Sequence, residues 1–238
     1  MALPNLSNDR PIYEMTIPST KETIKYRPFL VKEQKALLIA FESKDTKQIL
    51  NSMLSCIETC VPGTNIRNLA TFDVDYMFLK VRSKSVGEST KLLSACTECN
   101  EENEITINIE DVKMEATDIK NQVIPINDDV SVEMKYPTYA DVMSKSVGID
   151  KEISGAEEVF NSITSCLNAV QTKEENILIS QEPKEEVDKF INSLTNTQLE
   201  KMSKFVENMP TLMHLHEYTC KKCNHNNTVE LKGLQDFF

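Results

Sequence analysis

Two Cys-x-x-Cys motifs carry the side chains best suited to chemistry in this sequence. The first spans Cys96–Cys99, and the second spans Cys220–Cys223, which begins 220 − 96 = 124 residues later. Two cysteines three positions apart around a tight turn direct two thiolates at one ion, and tetrahedral Zn²⁺ requires two such pairs. We therefore predict that the motifs meet in space and hold one structural zinc ion. The predicted ligands are Cys96, Cys99, Cys220 and Cys223.

The residues that follow each motif are near-copies of one another. Asparagine recurs at the same two places, as Asn100 and Asn103 in the first copy and as Asn224 and Asn227 in the second. Each copy then alternates polar and apolar residues, a pattern typical of a strand. Strand-flanked cysteine pairs are the arrangement of a zinc ribbon, in which two hairpins each donate one thiolate pair. The motifs are separated by 220 − 99 − 1 = 120 residues, far more than in a compact ribbon, so the matched flanks carry the prediction.

A closed four-thiolate site has no open coordination position, so it predicts a structural ion and not a catalytic one. Two other interpretations stay open, namely a redox dithiol and turns that bind no metal. The rival ligands are His214, His216 and His225. His225 is nearest to a motif, but its counterpart in the first copy is Glu101, which favours the all-cysteine set. Two interpretations apply to Lys221 and Lys222. Either they partly neutralise the negative charge of the site, or they are ordinary residues of an exposed turn.

The similarity between the two parts of the chain extends beyond the cysteines. Asn51–Ile57 recurs as Asn161–Leu167, an offset of 161 − 51 = 110, and Tyr26 recurs as Tyr136 at the same offset. The offset then grows to 124 at the motifs, so the second part carries an insertion of 124 − 110 = 14 residues, about one helix in length. A constant period indicates internal duplication.

We therefore predict an α+β protein with two related halves, each built from strands and helices, each ending in a cysteine motif, and joined by the zinc-ribbon-like site. The predicted halves are residues 1–110 and 122–238, and the polar stretch 111–121 is the predicted linker. The predicted strands are 12–17, 22–29, 104–109, 123–126, 130–136, 212–218 and 227–232. The predicted helices are 31–42, 46–60 with Asp45 as its N-cap, 72–86, 138–147, 156–170, 184–194 and 197–208.

Composition excludes several classes of function. The chain of 238 residues has a formal net charge of −11, so it repels phosphate backbones, which weighs against nucleic-acid binding. Its longest apolar run, Ala36–Phe41, is too short to span a membrane, and the amino terminus lacks an apolar signal core. We expect a soluble protein made in a cytoplasm, with no nucleic-acid, membrane or small-molecule partner.

The remaining residues offer no catalytic constellation. Cys56, Cys60 and Cys166 lie on apolar helical stretches and are expected to be buried. The glycines form no phosphate-binding loop, and the sequence contains neither a Ser/His/Asp order nor a His-Glu-x-x-His motif. The acidic clusters at 128–129 and 182–186 are typical of solvated turns and helix starts. We expect no catalytic residue and no cofactor besides structural Zn²⁺.

Several segments, in order along the chain, resemble a known family. These segments are Tyr26–Lys35, Glu186–Ile191, Met209-Pro210, the second cysteine motif and Phe237-Phe238. Together they resemble the baseplate hub assembly proteins of T4-like contractile-tailed bacteriophages. The resemblance implies a non-enzymatic role in building or forming the central hub of the tail baseplate, with other hub proteins as partners. It also implies assembly in the host cytoplasm, with the virion tail baseplate as a further location.

Two rival functions remain at this point, a zinc-ribbon nucleic-acid factor and a thiol redox protein. The first requires a basic face on the ribbon, and the second requires a lowered thiol pKa at an exposed helix start. Phe237 and Phe238 are costly to leave in water, so they are expected to pack in the chain's own fold or in a partner. Partner contacts are expected at exposed strand edges or helix grooves.

Overall fold

The computed structural model describes residues 10–115, 121–145 and 155–237, and it is a mixture of helices and antiparallel strands. Its strands are β1 Tyr13–Thr16, β2 Thr23–Tyr26, β3 Ser89–Ala95, β4 Glu102–Asn108, β5 Lys113–Glu115, β6 Asn121–Pro125, β7 Val130–Lys135, β8 Leu167–Thr172, β9 Asn176–Leu178, β10 Thr211–Thr219 and β11 Asn226–Lys232. Its α-helices are α1 Val31–Ser43, α2 Thr46–Cys60, α3 Thr71–Val86, α4 Tyr139–Lys145, α5 Gly155–Cys166, α6 Lys184–Asn192 and α7 Asn196–Glu207. Short 3₁₀ turns lie at Ile66–Asn68, Ile109–Asp111, Ile179–Gln181 and Leu234–Phe237.

The chain forms two compact units that differ from the halves expected from the sequence. One unit combines Met1–Glu115 with Pro210–Phe238, and the other comprises Ala116–Met209. The second cysteine hairpin, β10–β11, therefore belongs to the first unit. The physical reason is strand pairing, because β10 pairs with β5 along Thr211–Met213 and so joins the sheet of the amino-terminal part.

Side-chain hydrogen bonds fix where the first helices begin. The carboxylate of Asp45 accepts from the backbone N–H groups two and three residues later, at 2.9 and 3.1 Å, so Asp45 caps α2 as predicted. At the start of α1, Glu33 accepts from the N–H of Leu30 at 2.8 Å and pairs with Arg27 at 3.0 Å. Since both charged side chains are largely buried, this pair attaches β2 to α1.

The core that supports the cysteine hairpins lies in the first unit. Alternate residues of β4 point inward, as the predicted period of two requires, and α3 covers them. The buried residues of this core are Leu79, Ile105, Ile107, Ile109, Val112, Leu212, Leu231 and Phe237. Phe237 is fully buried, so this aromatic ring packs in the chain's own fold. Phe238 lies outside the described residues.

The second unit is built on a four-stranded antiparallel sheet in the order β6-β7-β8-β9. Its apolar core gathers residues from this sheet and from α5, α6 and α7. The side chain of Thr195 accepts from the N–H of Gln198, and the Gln198 side chain accepts from the N–H of Thr195, which forms a capping box at α7. Thr195 is therefore the N-cap of α7.

Two further sequence predictions require correction. The helix expected over 156–170 ends at Cys166, because the following residues pair with β7 and β9 as strand β8. The stretch 111–121 is not a linker throughout, because Val112 is buried in the core and β5 pairs with β10. The helix predicted over 138–147 is present as α4, and its last two predicted residues lie outside the described residues.

Candidate metal centre

Each cysteine motif is the turn of a β-hairpin. The ladder of β3 and β4 closes at Ala95 and Glu102, and the ladder of β10 and β11 closes at Thr219 and Asn226. Both turns therefore hold six residues, and both lie in the first unit. Local strand pairing alone brings the two cysteines of each motif to the end of one hairpin.

The two turns share one backbone conformation. In the first, Cys96 donates its N–H to Glu101 at 2.9 Å, and its carbonyl accepts from Asn100 at 2.9 Å. The same two bonds of the second turn, Cys220 to the His225 carbonyl and Asn224 to the Cys220 carbonyl, measure 2.8 and 3.0 Å.

Asparagine suits the fifth position of each turn for a backbone reason. Asn100 has φ 56° and Asn224 has φ 57°, which is the left-handed region. Glycine tolerates this region best, and asparagine is among the few residues with a side chain that adopt it readily. The repeated Asn100 and Asn224 of the sequence thus specify the turn, and they do not contact the sulfurs in any described hydrogen bond.

The four sulfur atoms form a compact cluster. Cys96 and Cys223 place their sulfurs 3.6 Å apart, and Cys99 and Cys220 place theirs 3.7 Å apart. All four sulfurs lie within 4.8 Å of one another. A Zn–S bond of about 2.3 Å in a regular tetrahedron gives a sulfur–sulfur distance of about 3.8 Å. The described geometry therefore fits a four-thiolate metal site.

The first cysteine of each motif is buried, and the second is more exposed to solvent. Cys96 is 0% exposed and Cys220 is 1% exposed, whereas Cys99 is half-buried and Cys223 is exposed. One side of the cluster thus faces the protein, and the other side faces solvent.

Backbone N–H groups favour the thiolate form in the cluster. The N–H groups of Cys223 and Lys222 lower the pKa of the Cys220 thiol to about 6. Burial opposes ionisation of Cys96, but the N–H groups of Cys99 and Glu98 outweigh it and lower its pKa. Several thiolates held this close repel one another, so the cluster as a whole requires a cation for full ionisation.

Two buried asparagines connect the hairpins, and sequence reasoning assigned them no role. The side-chain amide of Asn103, on β4, donates to the sulfur of Cys220 at 3.6 Å. The amide of Asn227, on β11, donates to the sulfur of Cys96 at 3.5 Å. Their shared position, seven residues after the first cysteine of each motif, was the sequence feature that could have identified them.

A comparison with known protein families decides the broader identity. The family model described as T4 bacteriophage base plate protein matches residues 10–238. The chain belongs to this family. No curated protein matches the chain significantly, and no solved structure does so either. The family is one of bacteriophage tail components, so this baseplate protein has a structural role in the tail.

Charged and aromatic side chains near the cluster of this baseplate protein connect the two hairpins. Tyr218 on β10 contacts β3, with its hydroxyl 3.1 Å from both the Ser94 hydroxyl and the Ala95 carbonyl. Lys221 and Lys222 are exposed, and they pair with Glu101 of the other turn at 3.7 and 3.2 Å. The hydrogen bond from Lys222 lowers the pKa of Glu101.

The histidines of the baseplate protein do not join the candidate ligand set. Among the described residues, the group of side chains that could hold a metal ion consists of the four cysteines alone. His225 uses its backbone carbonyl in the turn, while His214 and His216 lie along β10. Cys56, Cys60 and Cys166 are buried, as predicted. No helix in the described part of the chain is both long enough and apolar enough to cross a membrane.

Proposed function

We propose that this baseplate protein is a non-enzymatic subunit or assembly factor of the central hub of the phage tail baseplate, and that it carries one structural zinc ion. The observation that carries the proposal is the family match over residues 10–238, which includes both cysteine hairpins, all of the second unit and most of the first. The chain acts in the host cytoplasm during assembly and contacts other hub proteins. Its residues bind other proteins and do not catalyse a reaction.

The zinc ion would tie together two separate sheets of the first unit. The hairpin β3–β4 forms its own two-stranded sheet, whereas β10–β11 belongs to the three-stranded sheet with β5. A two-stranded hairpin is only marginally stable in water by itself. Four thiolates at tetrahedral spacing, with no catalytic coordination position left open, support a structural role for the ion.

The outer face of α1 supports a role in protein–protein contact. Val31 is 80% exposed, Leu38 is 56% exposed and Ile39 is 50% exposed, and all three lie on the same helix. Exposed apolar groups clustered in this way mark contact sites more often than scattered ones do. We assign this face to another protein of the baseplate hub.

The test is purification of the tagged chain from infected cells, followed by identification of the proteins that accompany it. We expect hub proteins in stoichiometric amounts. Leu38→Glu should reduce their recovery at least tenfold, because the introduced carboxylate would be buried in the contact without a partner of opposite charge. Leu93→Glu is the matched control, since Leu93 is 70% exposed on β3. Wild-type chain that purifies without any tail protein would overturn the proposed function.

We also infer that the two halves arose by internal duplication. Both begin with a strand hairpin and two helices, and both end with a helix and a cysteine hairpin. The bounds of β4 and β11 differ by 226 − 102 = 124 and 232 − 108 = 124, the offset of the motifs. The extra elements of the second half between Cys166 and Cys220 are β8, β9 and α6.

Superposition of experimental coordinates for residues 12–110 and 122–232 tests the duplication. We expect the strand, helix and hairpin elements to align in one order. Unrelated chain paths in the two stretches would contradict it.

A further inference from the structure

We propose that Asn103 and Asn227 are positioning residues that hold the buried sulfur of the opposite hairpin in place for the metal. The inference rests on the proposed zinc site and adds to it the protein groups that orient its ligands. We call these two amide–sulfur contacts the brace. It is reciprocal, because Asn103 of the first hairpin contacts Cys220, and Asn227 of the second hairpin contacts Cys96.

Each asparagine forms hydrogen bonds with the backbone of the opposite turn as well as with the cysteine sulfur of that turn. The Asn103 oxygen accepts from the N–H of Lys221 at 2.9 Å. The Asn227 oxygen accepts from both the N–H and the hydroxyl of Thr97, each at 2.9 Å. Lys221 and Thr97 directly follow the braced cysteines, so one amide fixes both the start of the opposite turn and the thiolate it presents.

The other amide hydrogen of each side chain stays within its own hairpin. Asn103 donates to the carbonyl of Glu101 at 2.7 Å, and Asn227 donates to the carbonyl of His225 at 3.0 Å. Every donor and acceptor of the two amides therefore has a partner. Both residues are 4% exposed, so water does not compete for these bonds. Such buried and fully satisfied groups rigidify their surroundings.

Among the described hydrogen bonds, the asparagine amides reach only the first cysteine of each motif. Cys96 and Cys220 are buried and receive an asparagine amide, whereas Cys99 and Cys223 lie toward solvent. An N–H donor near a thiolate disperses its negative charge and fixes its direction. Two of the four ligands are thus oriented before a metal arrives, and the outer two complete the coordination.

The experiment measures Zn²⁺ affinity by competition with a chelator, on the full chain, for wild type and for Asn103→Ala and Asn227→Ala. Removing a group that orients a metal ligand costs about 10- to 100-fold in metal affinity, and we expect each variant to lose that much. Asn226→Ala is the matched control, because the exposed Asn226 is a neighbour on the same strand and accepts only from the Thr219 hydroxyl in the described bonds. We expect the control to bind like wild type.

Asn103→Asp separates the donor role from the acceptor role without a change of size. The carboxylate keeps the acceptor for Lys221 but places negative charge beside the Cys220 sulfur, so we expect a loss of affinity at least as large as for alanine. This variant also serves if the alanine chain fails to fold.

The thiolate-to-metal absorption band of Co²⁺-substituted protein gives a readout that a purely structural role would not move. We expect the band to shift in the Asn103 and Asn227 variants and to stay in place in Asn226→Ala, because amide donors change the electron density on sulfur. Wild-type affinity and an unshifted band in the Asn103 and Asn227 variants would overturn the brace alone. Wild-type protein that binds no Zn²⁺ would overturn the metal proposal, and the brace with it.

Discussion

Replacing Phe237 with alanine tests whether the carboxyl-terminal aromatic ring stabilises the first unit or serves a partner. The ring is 0% exposed and belongs to the core that includes Leu79, Leu212 and Leu231. Its 3₁₀ turn is tied down by the Asp236 carboxylate, which accepts from the N–H of Lys232 at 2.7 Å.

The size of the effect follows from this burial. Truncating a fully buried phenylalanine removes its transfer free energy and leaves a cavity, which together cost about 3–5 kcal/mol. With a urea dependence of about 2 kcal/mol per molar, the unfolding midpoint of the first unit should fall by about 1.5–2.5 M.

The assay is urea unfolding of the purified chain, followed by incorporation of the same variant into phage particles. Leu93→Ala is the control, because Leu93 is 70% exposed in the same unit, and its truncation should change stability by about 0.5 kcal/mol or less. An unchanged midpoint for Phe237→Ala combined with failed incorporation would refute the reasoning. It would indicate that the ring binds a partner and does not stabilise the core of the first unit.

Two further predictions concern the metal and the pH dependence of stability. Purified protein should contain about one equivalent of Zn²⁺ by elemental analysis, and Cys99→Ser or Cys223→Ser should each abolish it, since three thiolates hold the ion far less well; full occupancy in either variant would contradict the ligand set. The hydrogen bond from Lys80 and the neighbouring Ser83 and Lys84 lower the pKa of Glu110 from 4.5 to about 2. Its contribution is therefore complete above about pH 4.5 and is lost as the pH falls toward 2, so the stability difference between wild type and Glu110→Gln should shrink over that window. A difference that persists at pH 2 would show that charge is not its cause.

Local structure around the cysteines could be predicted because it depends on neighbours in the chain. Cysteines at i and i+3 and an asparagine at the left-handed position specify each turn, and alternating apolar residues specify the strand that follows. The cap at Asp45 is equally local, since its partners lie two and three residues away. The four candidate ligands could therefore be named from their spacing, and the described structure brings them together.

The division into units could not be predicted, because it depends on pairing between distant strands. The polarity of residues 111–121 indicated a linker, yet β5 pairs with β10 almost 100 residues later. The end of α5 at Cys166 has the same origin, since residues 167–172 can continue a helix locally but become β8 when β7 and β9 offer backbone partners.

The sequence by itself determined the hairpin turns and the identity of the candidate metal ligands, and only the tertiary structure decided what orients them. Asn103 and Asn227 were visible as a repeated residue, but their partners lie on the other hairpin, Lys221 at a separation of 118 residues and Thr97 at 130. A side-chain amide carries no periodicity that indicates a distant acceptor. Which backbone group it meets depends on how the two hairpins pack, and the buried core formed by β4, β10, β11 and α3 fixes that packing.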